Sequence, residues 1–132
     1  MLSRVVFSSQ SDHWSTPALL YEALNREFLF TFDPCPLRSD ADGLAVNWPG
    51  RVFINPPYSN IRAFIEKGLL ELRKNADLLV YLVPSRTDTR WMHDLVLPRA
   101  SEIRFIRGRL KFGESKNSAP FPSMLCVFKR LE

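Results

Sequence analysis

The most informative segment of this sequence is Arg51-Val52-Phe53-Ile54-Asn55-Pro56-Pro57-Tyr58. Its first four residues, introduced by Pro49-Gly50, are β-branched and aromatic and predict a short strand. Beyond it, apolar residues recur at helical spacing to about residue 75, with Ser59 or Asn60 as the N-cap, and predict a helix. Residues 55–58 are therefore expected at the carboxyl end of a strand, where open α/β sheets bind ligands.

Residues 55–58 combine a rigid backbone with hydrogen-bond acceptors and one aromatic ring. Pro56 and Pro57 fix the backbone and lack N–H donors. The side-chain oxygen of Asn55 and the carbonyl of Pro56 could accept both N–H bonds of an amino group on a flat ring. Tyr58 offers a face on which that ring could stack. The alternative interpretation is a rigid proline turn that only caps a helix.

The order of the other predicted elements indicates an α/β domain with a C-terminal antiparallel portion. A helix is expected to begin at Ser15 or Thr16 with Pro17 at its first position, and its apolar face to comprise Leu20, Ala23, Leu24 and Phe28. Strands are predicted at 4–7, 28–32, 78–83, 103–106 and 124–128, with 109–112 as a candidate to pair between the last two. A short helix is predicted from Asp88 to about Leu97, stopped by Pro98.

Composition describes one small soluble domain. A length of 132 residues allows one core but no separate recognition domain, and a hydrophobic content of 45% is ordinary for a globular protein. No apolar run approaches the length of a membrane span, and the first residues lack the apolar segment of a signal peptide. Cys35 and Cys126 form no metal-binding pair with the isolated histidines, so we expect no metal and a cytoplasmic location with reduced thiols.

The charge distribution favours an anionic partner. The formal net charge is +4, and basic residues crowd a late stretch whose acids are Glu102 and Glu114. The basic residues of that stretch are Arg99, Arg104, Arg107, Arg109, Lys111 and Lys116. The alternative interpretation is an ordinary solvated face.

Six segments, in order, resemble the amino-methyltransferases that use S-adenosylmethionine, and above all the small phage-type (Dam-like) DNA N6-adenine methyltransferases. They span roughly residues 12 to 128. The segments are Asp12-His13-Trp14-Ser15-Thr16-Pro17, Phe32-Asp33-Pro34-Cys35, Asn55-Pro56-Pro57-Tyr58, the run from Val83 to Trp91, the run from Ile106 to Phe112, and Ala119-Pro120-Phe121-Pro122-Ser123.

This resemblance implies methyl transfer from S-adenosylmethionine to the N6 amino group of adenine in double-stranded DNA, with the target base flipped into a pocket formed by residues 55–58. It implies a single methyltransferase domain, 1–132, built on a compact, shortened Rossmann-like sheet with flanking helices. It also implies the cytoplasm of a bacterium or a phage-infected cell, and we expect a monomer or weak dimer.

The cofactor side departs from the usual methyltransferase pattern. The place of the glycine-rich loop is taken by Asp33-Pro34-Cys35-Pro36, and the chain from Asp33 to Asn55 is too short for the extra strands and helices of a full Rossmann-like sheet. The resemblance nevertheless implies cofactor contacts from Trp14, Thr16, Pro17, Asp33, Pro34, Asp40, Asn55 and Arg86. Asp33 would meet the cofactor's amino group, and Asp40 with Asp42 the ribose hydroxyls. Solvated carboxylates and Asx turns are the alternative for these acids.

Contacts to DNA are expected from the aromatic and basic side chains. In this interpretation Tyr58 and Phe121 supply the two faces of an aromatic sandwich, and Arg86 a contact to phosphate or to the cofactor carboxylate. Further phosphate contacts are expected from Arg107, Arg109 and Lys111. Two other functions stay open at this point: a protein glutamine methyltransferase, since that class also carries Asn-Pro-Pro-Tyr, and a non-catalytic DNA-binding derivative of the fold.

Overall fold

The computed structural model describes residues 15–36, 42–111 and 119–131. Within them the fold is mixed α/β with a four-stranded mixed sheet in the order β1-β2-β4-β3. The strands are β1 (Gly50–Ile54), β2 (Ala76–Pro84), β3 (Glu102–Phe105) and β4 (Ser123–Lys129). The edge strand predicted at residues 4–7 lies outside the described ranges.

Strand directions bring three carboxyl ends to one edge of the sheet. β1 and β2 are parallel, with Ile54 opposite Tyr81. β4 is antiparallel to β2 and to β3, so β3 runs in the same direction as β1 and β2. The edge at which β1, β2 and β3 end, and at which β4 begins, is called the carboxyl edge below.

Helices cover both faces of the sheet. Helix α1 spans Ala18–Phe28, and helix α2 spans Ile61–Glu71 and connects β1 to β2. A π-helical turn at Met92–Val96 continues into a helical turn at Leu97–Arg99. The side chains of α2 and the π-helical turn pack on one face of the sheet in a cluster that we call core A. Those of α1 pack on the other face in core B.

The predicted strand at 28–32 is wrong, because α1 extends through Phe28. Leu29 adopts a left-handed conformation (φ 56°) and caps the helix by donating its N–H to the Asn25 carbonyl at 2.8 Å. The Asn25 side chain then accepts the Phe30 N–H at 2.9 Å. Beyond this cap only an isolated bridge joins Phe32 to β1.

Other predicted details also differ. Pro17 is the N-cap of α1 rather than its first helical residue, and Ala23 is exposed. The last helical run, predicted from Asp88 to about Leu97, spans 90–99 and thus ends one residue beyond Pro98. Residues 109–111 form no strand, since β3 pairs with β4 directly.

Close packing of α2 on β2 depends on a glycine. A Cβ atom at Gly68 would collide with the hydroxyl of Tyr81 and approach the Leu79 side chain. The absence of that atom lets the Tyr81 hydroxyl reach the helix and donate to the Phe64 carbonyl at 2.7 Å. The helix therefore lies against the sheet through a hydrogen bond as well as through apolar contact.

Glu71, at the end of α2, is fully buried and anchors the loop that precedes β1. Its carboxylate accepts the Trp48 N–H at 2.5 Å, the Asn75 side chain at 3.1 Å and Lys67 at 3.3 Å. Burial alone would raise the pKa of Glu71. These hydrogen bonds and the Lys67 charge outweigh it, so the pKa lies below the ordinary value of 4.5.

Replacing Glu71 with glutamine is expected to lower the free energy of unfolding by about 1–3 kcal/mol at neutral pH, because a charged acceptor becomes neutral. Since folding lowers the carboxyl pKa, its stabilising effect is complete above the ordinary value and is lost as the pH falls through the folded value. Urea unfolding of wild type and Glu71→Gln should therefore give stabilities that converge in acid.

The matched control is Glu66→Gln on the same helix. The Glu66 side chain is exposed and lies 3.5 Å from Arg62. Loss of this ion pair should lower the free energy of unfolding by about 0–1 kcal/mol. Equal losses in the two variants, or a difference that persists in acid, would contradict the role assigned to Glu71.

Candidate active site

Polar and aromatic side chains from four chain segments meet at the carboxyl edge. Asn55 and Tyr58 follow β1, Arg86 follows β2, and Phe121 directly precedes β4. The basic residues at 107–111 follow β3. The residues predicted to act on DNA therefore share one edge with the motif at 55–58, as the parallel strand directions require.

A cleft of about 330 Å³ opens on the α1 side of this edge. Three predicted cofactor residues, Thr16, Asp33 and Asn55, all line it although they are far apart in sequence. The other lining residues are Ser15, Ala18, Tyr21, Cys35, Pro36 and Phe53. The segment that leads into and includes α1, the Asp33 segment and the end of β1 thus form the walls of the cleft.

Asn55 is held in place by a hydrogen bond across the cleft. The side chain is 3% exposed, and its Nδ2 donates to the Thr16 hydroxyl at 3.0 Å. An amide that donates through Nδ2 presents its Oδ1, an acceptor, on the other side. The hydroxyl of Thr16, expected as a helix cap, instead orients this amide, because Pro17 caps the helix without a side-chain hydrogen bond.

Asp33 lies in a compact turn beside an aromatic wall. Its Oδ1 accepts the Cys35 N–H at 2.8 Å. Tyr21 faces it from α1 and packs edge-to-face on Phe53 with 5.2 Å between ring centroids. Burial, and secondly the charge of Asp33, raise the pKa of Tyr21. One carboxylate therefore stands among apolar and aromatic groups.

Tyr58 lies over the start of α2, in the 3-10 turn Tyr58–Asn60. Its ring meets Phe121 edge-to-face, with centroids 5.2 Å apart and planes at 79°. The predicted aromatic pair is thus present as a contact, but its rings are not parallel faces with a slot between them. Burial raises the pKa of the Tyr58 hydroxyl, and the charge of Arg86 opposes that rise.

Arg86 belongs to a loop that is held by hydrogen bonds. Its carbonyl accepts the Thr89 hydroxyl at 2.8 Å, and a ring nitrogen of His93 contacts the Thr87 carbonyl at 2.7 Å. The exposed Arg86 does not line the cleft, and its charge reaches Tyr58 instead. This placement favours the DNA contact over the cofactor contact.

The basic stretch divides into exposed and engaged side chains. Arg107, Arg109 and Lys111 are exposed beyond β3. Arg104, in contrast, is held by Glu27 at 2.5 Å and Glu102 at 2.7 Å, and lies over the Phe28 ring. Because Arg104 is already paired, fewer basic side chains of this stretch are available to bind an anion than the sequence implies.

Several predicted residues do not reach the cleft or cannot be placed. Trp14 and Asp40 lie outside the described residues. Pro34 is buried and Pro17 begins α1, and neither lines the cleft. Asp42, considered for the ribose, accepts the Leu44 N–H in an exposed Asx turn.

Sequence reasoning missed Tyr21, Cys35 and Phe53 as lining residues. The signal for Phe53 was available, since strand alternation places residues 53 and 55 on the same face. Tyr21 lies one helical turn beyond Pro17, but its direction depends on how α1 docks. The approach of α1 to the Asp33 turn is a tertiary contact that no local pattern encodes.

Neither a metal centre nor a membrane span is found in the described part of the chain. No cluster of three or more histidine, cysteine, aspartate or glutamate side chains could hold a metal ion within 15–36, 42–111 and 119–131. Among the helices in these ranges, none is both long and apolar enough to cross a membrane.

Comparison with known proteins shows the family to which this chain belongs. A model of the family described as DNA N-6-adenine-methyltransferase (Dam) matches residues 4–132, and the chain belongs to this family. The chain is also similar to the DNA N-6-adenine-methyltransferase of Haemophilus phage HP1 (strain HP1c1). The two are 26% identical over an alignment of 140 residues, gaps included, which covers 92% of this chain and 80% of that protein. The resemblance drawn from the sequence motifs is confirmed.

Removal of a buried tyrosine hydroxyl should affect stability differently at Tyr81 and at Tyr58. The Tyr81 hydroxyl donates to the Phe64 carbonyl at 2.7 Å, so Tyr81→Phe should lower the free energy of unfolding by about 1 kcal/mol. The Tyr58 hydroxyl is buried with no hydrogen-bond partner in the described part of the chain, so Tyr58→Phe should leave stability unchanged or slightly raised. Urea unfolding measures both, and equal losses would contradict this difference.

Proposed function

We propose that this protein transfers a methyl group from S-adenosylmethionine to the N6 amino group of adenine in double-stranded DNA, with the base flipped against residues 55–58. The observation that carries the proposal is the position of Asn55. Its amide is buried, oriented by Thr16 at 3.0 Å, and stands in one cleft with Asp33 at the edge where the prolines and Tyr58 emerge. Family membership supports the same activity.

The residues around the cleft fit S-adenosylmethionine. A volume of about 330 Å³ lies within the range of small-molecule sites. Asp33 offers a carboxylate to an α-amino group, and Tyr21 with Phe53 offers an apolar wall. When bound, the cofactor supplies a methyl group activated by a sulfonium. The parallel pair β1-β2, followed by an antiparallel strand, supports a shortened Rossmann-like methyltransferase sheet.

The chemistry assigned to the protein is to prepare the amine. The adenine amino nitrogen is a weak nucleophile because its lone pair is conjugated with the ring. Asn55 Oδ1 and the Pro56 carbonyl would accept its two N–H bonds, favour a pyramidal nitrogen and free the lone pair. Fixing that nitrogen in line with the methyl group lowers the entropic part of the barrier. No strong general acid is required, because the leaving thioether is neutral.

Base flipping is expected because a duplex hides the amino group. Unstacking costs a few kcal/mol, and stacking on an aromatic ring returns about 1–3 kcal/mol. Tyr58 is the proposed stacking ring. Because Phe121 meets it edge-to-face, a base can enter between the two rings only if they separate, and otherwise it stacks on the face of Tyr58 that Phe121 leaves open.

Transfer of tritiated methyl groups from S-adenosylmethionine to unmethylated DNA tests the proposal. Label in N6-methyladenine is the expected result. Label found only in protein would favour a glutamine methyltransferase. DNA binding without any transfer would favour a non-catalytic derivative of the fold.

Asp33 and Asn55 should affect different steps. Asp33→Ala is expected to weaken the binding of S-adenosylhomocysteine in calorimetry, because the amino group loses its carboxylate partner. Asn55→Ala should bind this ligand nearly as well as wild type but lose at least about 100-fold in turnover, since its contact is to the substrate amine.

Asn55→Asp is the matched control. It keeps an acceptor oxygen in the same position, so it should retain far more turnover than Asn55→Ala. Wild-type turnover in Asn55→Ala, or ligand binding unaffected by Asp33→Ala, would remove that residue from the proposed site.

The basic residues beyond β3 should act through charge alone. Neutralising Arg107, Arg109 and Lys111 together is expected to weaken binding to every DNA sequence and to reduce the salt slope by about one unit for each phosphate that is no longer neutralised. Arg73 and Lys74, exposed after α2 at the opposite end of the sheet, provide the control pair. Titrations at several salt concentrations that gave the same slope for both variants would place the duplex elsewhere.

A further inference from the structure

Three side-chain hydroxyls at the carboxyl edge are buried and find no hydrogen-bond partner within residues 15–36, 42–111 and 119–131. They belong to Tyr58, Ser85 and Ser123. A hydroxyl can donate one hydrogen bond and accept others. Because a buried polar group without a partner is costly, each of these groups calls for an explanation.

Ser85 follows β2 at the same edge of the sheet at which Tyr58 follows β1. Tyr58 lies four residues beyond Ile54, and Ser85 lies four residues beyond Tyr81, the residue that pairs with Ile54. Tyr58 packs against core A. The Arg86 N–H donates to the Pro84 carbonyl at 2.9 Å, so the chain turns at Ser85 directly after β2.

A backbone hydrogen bond joins Ser85 to the segment that contacts the proposed base-stacking ring. The Ser85 N–H donates to the Pro122 carbonyl at 2.9 Å. The neighbouring Phe121 touches the Tyr58 ring at a centroid distance of 5.2 Å. These two contacts thus link three chain segments, those of Ser85, Phe121 and Tyr58, at the carboxyl edge.

Ser123 differs from Ser85 although it is close in the sheet. It pairs with Pro84 at the start of β4 and is 1% exposed. Strand alternation places its side chain with Leu125 and Val127 on the face of core B. Its side chain therefore faces the cluster against which Phe121 also packs.

The proposed contacts to adenine lack a donor. Asn55 Oδ1 and the Pro56 carbonyl accept hydrogen bonds, and so recognise only the amino group. In adenine that group is flanked by two acceptor nitrogens, N1 on the Watson–Crick edge and N7 on the major-groove edge. Complete recognition of the edge needs a neutral donor beside the two acceptors, and a serine hydroxyl is such a group.

We infer that the Ser85 hydroxyl reads the target adenine by donating a hydrogen bond to N1 or N7. This inference rests on the proposed function and adds to it a specificity-determining residue. It also explains why the hydroxyl is sheltered yet not engaged by the described protein groups: its partner is the base.

Adenine analogues that lack one ring nitrogen test the inference. A methylated site is first located in plasmid DNA, and duplexes are then synthesised around it with adenine, 1-deazaadenine or 7-deazaadenine at the target. Wild type should lose about tenfold in kcat/KM on one of the two analogues, the value of one hydrogen bond. Ser85→Ala should lose the same factor on adenine and show no further loss on that analogue.

Two variants control for structure alone. Ser85→Thr keeps the hydroxyl and should restore discrimination between adenine and the analogue. Ser123→Ala removes another buried hydroxyl at the same edge and should discriminate as wild type does. Discrimination lost equally in Ser123→Ala would overturn the assignment to Ser85.

The remaining outcomes also decide the matter. Equal kcat/KM of wild type on all three duplexes overturns the inference without any variant, even if Ser85→Ala does not fold. If Ser85→Ala lowers kcat/KM by the same factor on adenine and on each analogue, the serine acts elsewhere. Methylation of adenine by the protein would not be affected by that outcome. If wild type methylates no duplex, the proposed function itself has failed.

Discussion

The pairing of β2 with a strand on each side determines where the candidate site residues that follow β1 and β2 and precede β4 lie. β2 is buried along all of its length except Asp77 and is hydrogen-bonded to β1 and β4. Its register with β1 brings Asn55 and Ser85 to one edge, and its antiparallel partner returns Phe121 to that edge. A slip by one residue would turn every side chain of β1 to the opposite face and remove Asn55 from the cleft.

Stabilising and functional polar groups are separated along the strands. The buried carboxylate of Glu71 and its N–H donors lie at the end where β1 and β2 begin, and its hydrogen bonds are satisfied within the protein. Buried groups at the other end, such as the Tyr58 and Ser85 hydroxyls, have no partner in the described part of the chain. The paired groups around Glu71 stabilise the fold, and the Ser85 hydroxyl is the one for which we propose a ligand contact.

Sequence reasoning predicted most of the sheet and placed Asn55 at the end of β1. β1, β2 and β4 follow from apolar and β-branched runs, whereas Asp33 reaches the same cleft as Asn55 without the strand that was predicted before it. It could not predict the end of α1, since the left-handed cap at Leu29 needs a conformation that leucine rarely adopts. It also missed the engagement of Arg104, because Glu27 is 77 residues away in sequence. The separation of exposed from paired charges depends on tertiary contacts.

The hydrogen bond between Thr16 and Asn55 joins the start of α1 to the end of β1 across 39 residues of sequence. A molecule in the cleft would contact Thr16, which orients the Asn55 amide. A molecule against Tyr58 would contact residues 55–58, which include Asn55. Any occupant of one side that shifts this bond must therefore change the affinity of the other side. By thermodynamic reciprocity the two affinities would change by the same factor, so this bond would couple the two proposed ligands to each other.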